Sequence, residues 1–126
     1  MGKVIVDAAI QLHRDLGPGM LESVYEVFLV ELLADKGLKA ERQVSIPVTY
    51  RGKTVDTGFR VDLIVEGKVQ VELKATESIL PVHSRQALTY LQFTGLKLGY
   101  LLNFGGARMA DGIQRLIMTH HANLTR

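Results

Sequence analysis

Apolar residues recur at helical spacing from the start of the chain. Ile5, Ala9, Leu12 and Leu16 form one stripe, and Gly17-Pro18-Gly19 ends it. A second helix is predicted from about Met20 to Lys36, with Leu21, Val24, Tyr25, Phe28 and Leu32 on one face and Gly37 as its stop. The period then drops to two. Val44, Ile46, Val48 and Tyr50 alternate with polar positions, and Pro47 places this strand at a sheet edge. Arg51-Gly52-Lys53 turns the chain into a second strand with Val55, Phe59, Val61, Leu63 and Val65 on one side. After Glu66-Gly67-Lys68 a third strand carries Val69, Val71 and Leu73. A helix is predicted from Pro81 to Gly95, and the apolar run from Leu98 to Phe104 reads as a strand buried on both faces. Met109, Ile113, Leu116 and Ile117 have the spacing of a last helix.

The expected order is therefore α-α-β-β-β-α-β-α, a mixed α/β (α+β) domain with a four-stranded mixed sheet flanked by helices. The third and fourth strands are joined through a helix, so they should run parallel. One domain is expected over residues 1–118, with a short tail at 119–126.

The odd-numbered apolar positions of the second and third strands align only if the loop between them has an odd length. Glu66-Gly67-Lys68 supplies one. Asp62 then faces Glu72 or lies one step diagonal to it, with Arg60 and Lys74 on the same side. Such a face has two readings. It is either a solvated sheet surface laced with ion pairs, or a divalent-metal site, since two converging carboxylates make a hard-oxygen pocket suited to Mg²⁺ or Mn²⁺.

Composition narrows the choice. The chain has 126 residues, 47% of them apolar, enough for a packed core and too many for a disordered chain. Fifteen basic and thirteen acidic residues leave a net charge of +2, so contact with nucleic acid would have to be made by a local patch. The absence of cysteine excludes disulfide scaffolds, thiolate metal sites and Cys nucleophiles. No apolar stretch approaches the ~20 residues of a membrane span, and the start of the chain lacks the pattern of a secretion signal. A cytoplasmic protein is expected. His13 and Tyr25 are read as structural, His120 and His121 as tail residues, and His83 as a candidate phosphate contact.

Asp62, nine intervening residues, then Glu72-Leu73-Lys74 across a hairpin resembles the core of the PD-(D/E)XK nuclease superfamily. Gly19-Met20-Leu21-Glu22-Ser23-Val24-Tyr25 is similar to the signature of the GxxExxY family within it, and Gln86-Ala87-Leu88-Thr89-Tyr90 to the Gln-x-x-x-Tyr motif of the RecB-like branch. The resemblance extends from about His13 to Ile117, and Val61 stands where the superfamily's name has proline. It implies a restriction-endonuclease-like fold, with Asp62 and Glu72 as metal ligands, the Leu73 carbonyl as a third, and Lys74 as the catalytic lysine. Glu22 would add an acidic group at or behind the metal, and Gln86 and Tyr90 would line the site. Read from spacing alone, Glu22 is equally a first-turn acid favoured by the helix dipole, and Gln86 and Tyr90 an ordinary helix flank.

The reading that follows is a Mg²⁺- or Mn²⁺-dependent nuclease with little sequence preference, acting on nucleic acid, DNA ahead of RNA. Arg60, Arg85 and Lys53 are its candidate backbone contacts, and a homodimer is compatible with it. The rival is a catalytically silent module of the same fold that binds nucleic acid or a partner subunit. A phosphohydrolase for small nucleotides stands third.

Overall fold

The computed structural model describes residues 1–119; His120 and His121 lie outside them. Two helices come first, α1 (Gly2–Leu16) and α2 (Glu22–Asp35). Three strands follow: β1 (Ala40–Tyr50), β2 (Lys53–Val65) and β3 (Val69–Lys74). Helix α3 (Pro81–Thr94) leads into β4 (Leu98–Asn103), and a 3₁₀ turn at Met109–Gly112 into β5 (Ile113–Ile117).

The strands lie in the order β1-β2-β3-β4-β5. β3 and β4 are parallel and the other neighbours antiparallel, as the helical crossover requires. α1 and α2 cover the face that carries Leu63, Val65, Val71 and Leu73, and together they form the main core. The opposite face is covered more thinly, by Ala87 and Leu91 of α3 with Leu116.

The sheet has five strands rather than four, because the segment expected to be the last helix is a turn followed by β5. Ile113 and Ile117 fit either period. The open edge of β4 decides between them, since residues 113–117 satisfy it with an antiparallel ladder from Leu98↔Ile117 to Leu102↔Ile113. Ile113 then packs toward the main core while Leu116 joins α3 on the other face, a division that one helix face could not make.

The expected face of α2 is also corrected. Its buried residues are Tyr25, Glu26, Leu29 and Leu33, whereas Leu21 and Phe28 are exposed. The helix is apolar on nearly every side, so the pattern could not select which side faces α1 and β3.

Tyr25 is fully buried and stacks on Phe104 at 4.5 Å between ring centroids. Its hydroxyl donates to the Gly17 carbonyl and accepts from Met20 N–H. The phenol thereby closes the turn between α1 and α2, which gives the tyrosine of the Gly19–Tyr25 motif a structural reason. His13 is likewise structural, with Nε2 2.9 Å from the Gly106 carbonyl.

Pro47 sits on the edge strand where the β1–β2 register shifts between Ile46 and Val48, so no ladder bond is lost for want of its N–H. At the other end of the sheet, buried Asn103 braces the loop that leaves β3. Its Oδ1 accepts from Thr76 N–H at 3.0 Å and Gly105 N–H at 3.1 Å, while Nδ2 donates to the Thr76 carbonyl at 2.9 Å. A Cβ on Gly105 would run into the Thr76 backbone. Gly105→Ala is therefore expected to destabilise the fold by roughly 2–3 kcal/mol, as overpacking against rigid backbone does. Urea unfolding of parent and variant measures it.

Candidate functional site

The three-residue loop Glu66-Gly67-Lys68 sets Val65 opposite Val69 and Leu63 opposite Val71. Its length is odd, as the alternation of apolar positions demands, and Glu66 and Gly67 take left-handed φ values of 55° and 65° to close it. Continuing that register sets Asp62 against Glu72. At that point the ladder opens. Asp62 N–H donates to Glu72 Oε1 at 3.2 Å, and Leu73 N–H donates to Asp62 Oδ2 at 2.9 Å. The two carboxylates occupy the fork where β2 and β3 part, each taking a strand N–H. They do not stand on a flat sheet face.

Glu72 is buried and Asp62 half-buried. Burial first, and then the charge of Asp62, push the Glu72 carboxyl up to about 8; the Lys74 charge opposes that shift. Tyr90, on α3, also feels the pair. Its phenol is raised above its usual value by burial and then by the charges of Glu72 and Asp62. The ring is held parallel to Phe59 of β2 at 4.1 Å, and Phe93 meets Phe59 edge-on at 6.2 Å.

The structure thus brings together Asp62, Glu72, Leu73, Lys74 and Tyr90. Arg60 and Gln86 are exposed, on β2 and α3. Glu22 is exposed in the first turn of α2. Among the described residues no group of three His, Asp or Glu side chains gathers as a metal site, so Glu22 does not complete a trio with the carboxylate pair. His83 is occupied locally, where its Nδ1 accepts Leu80 N–H at 3.1 Å and caps the start of α3.

Sequence reasoning missed Glu26, Arg42 and Gln43. Buried Glu26 accepts from Arg42 Nε at 2.8 Å and from Gln43 Nε2 at 2.9 Å, and the same Gln43 nitrogen reaches Asp62 Oδ1 at 3.3 Å. A charged residue on the buried side of α2 was the available signal. It becomes visible only once the buried side is known.

The raised Glu72 carboxyl has a consequence for stability. Between pH 4.5 and about 8 the folded chain holds a proton on Glu72 that the unfolded chain has released. Stability from this group is full below that window and falls as the pH rises through it. The metal-free protein is expected to lose on the order of a few kcal/mol this way at neutral to basic pH. Glu72→Gln, which stays neutral, should remove the slope and melt higher than the parent at pH 8. Thermal melts from pH 5 to 9 in the presence of a chelator check this.

No curated protein and no solved structure matches the chain. A family model described as the PD-(D/E)XK nuclease superfamily matches residues 1–116. With that match over nearly the whole chain and the carboxylate pair in place, the chain belongs to the PD-(D/E)XK nuclease superfamily.

Proposed function

We propose that this protein is a metal-dependent nuclease that hydrolyses phosphodiester bonds with a metal-activated water. The observation that carries this reading is the Asp62–Glu72 pair in the β2–β3 fork, with Glu72 held protonated by burial and by its neighbour. An all-oxygen donor set of two carboxylates and a backbone carbonyl is the kind that Mg²⁺ or Mn²⁺ takes. Asp62, Glu72 and the Leu73 carbonyl would hold the ion, which when bound would lower the pKa of a water and neutralise charge on the phosphate.

The protein's own groups supply the rest. A bound cation would replace the Glu72 proton and relieve the repulsion between the carboxylates. Lys74, whose charge already acts on Glu72, would stabilise negative charge developing at the phosphate. Tyr90, steadied by Phe59, would line the wall against which substrate is set. Gln86, Arg60, Arg85 and Lys53 would meet the nucleic-acid backbone, which positions a strand without reading its sequence. Glu22 would act at longer range, behind the metal. The GxxExxY and RecB-like affinities suggested by residues 19–25 and 86–90 belong to the same proposal, as does a preference for DNA.

The competing reading, a silent module that binds nucleic acid or a partner, draws on the lack of a third acid beside the pair among the described residues. Single-turnover cleavage of single- and double-stranded DNA and RNA at saturating Mn²⁺ separates the two. The parent is expected to cut, and Lys74→Ala to cut at least about 100-fold more slowly, as when one charge-stabilising donor is removed from a transition state. Mn²⁺ should still raise the melting temperature of Lys74→Ala and should fail to raise that of Asp62→Asn. A parent that cuts none of the substrates, or a lysine variant as fast as the parent, refutes the enzyme reading.

A further inference from the structure

We propose that Gln43 is a positioning residue of the carboxylate site, aligning Asp62 and tying it to Glu26 of α2; this rests on the metal-dependent reading above. Gln43 occupies the β1 position opposite Asp62, between the pairs Arg42↔Leu63 and Val44↔Val61. Its φ is 51°, a left-handed backbone inside an 11-residue strand. A residue with a side chain rarely takes that conformation, and the surroundings must enforce it.

The side chain explains what is gained. The Gln43 amide nitrogen lies 2.9 Å from Glu26 Oε1 and 3.3 Å from Asp62 Oδ1. A primary amide has two N–H groups, and each carboxylate takes one. The flipped amide is excluded, because its oxygen would face two acceptors. Asp62 is then oriented from both sides, through Oδ2 by Leu73 N–H and through Oδ1 by Gln43. Glu26 is in turn anchored by Arg42 at 2.8 Å. A residue serving only to join β1 to α2 would need the Glu26 bond alone. The second bond, to Asp62, is the one that bears on the metal, since partners that orient a ligand typically set 10–100-fold of metal affinity.

The test is Mn²⁺ titration calorimetry on the parent, Gln43→Gly and Gln43→Asn, with thermal melts in parallel. Glycine accepts the left-handed backbone without an amide. Asparagine also tolerates it, with an amide one methylene too short to bridge both carboxylates. Gln43→Gly is expected to melt within about 3 °C of the parent and to bind Mn²⁺ roughly 10–100-fold more weakly. Gln43→Asn should recover part of that loss. Cleavage at limiting Mn²⁺ should fall with metal occupancy and recover as Mn²⁺ is raised. If Gln43→Gly fails to fold, Gln43→Asn decides: Mn²⁺ binding weaker than the parent's supports the role, and parental affinity overturns it. Parental Mn²⁺ affinity in the variants overturns the positioning role and leaves the nuclease reading standing. A parent that binds no Mn²⁺ overturns both.

Discussion

Where β2 and β3 separate, two strand N–H groups that would otherwise donate to carbonyls donate to carboxylates. A backbone donor left unpaired in a buried position costs about 1–3 kcal/mol. Asp62 and Glu72 are therefore part of the sheet's own hydrogen bonding, and their position is set by the ladder. The same arrangement brings two carboxyl groups together with one of them buried, which is tolerable only with a proton or a cation between them. Structure and chemistry thus share one constraint: the fork needs the carboxylates, and the carboxylates need a positive partner.

The rest of the fold holds that fork in place. β3 is paired along its whole length with parallel β4, from Val69↔Leu98 to Lys74↔Asn103, so the opening on its β2 side leaves it anchored on the other. Beneath it the α1–α2 unit is fastened by the Tyr25–Phe104 stack and by the tyrosine hydroxyl in the Gly17–Met20 turn. Beyond Lys74, Asn103 pins the departing loop through the Thr76 peptide groups. On α3, Tyr90 feels the charges of Glu72 and Asp62, and its ring stacks on Phe59.

Much was legible along the chain because it depends on neighbours in sequence. Alternation placed β1 to β3, the apolar run placed β4, and Pro81 and Gly95 bounded α3. The odd loop after Val65 followed from the parity of Val61, Leu63, Val69 and Val71, and with it the meeting of Asp62 and Glu72. Those inferences rest on side-chain periodicity and turn stereochemistry, which act over a few residues.

What the tertiary structure decided depends on which surfaces are free to pair. Residues 113–117 became β5 because β4 offered an open edge, although their spacing also suited a helix. α2 turned Glu26 inward and Phe28 outward because an all-round apolar helix carries no mark of its buried side. Gln43 meets Glu26 and Asp62 from a left-handed backbone that its own propensity disfavours, and both partners are distant in sequence. The chain alone thus specified that Asp62 and Glu72 meet. Only long-range packing decided that Glu26, Arg42 and Gln43 stand behind them, because the contacts that place these three are made across α2, β1 and β2 together.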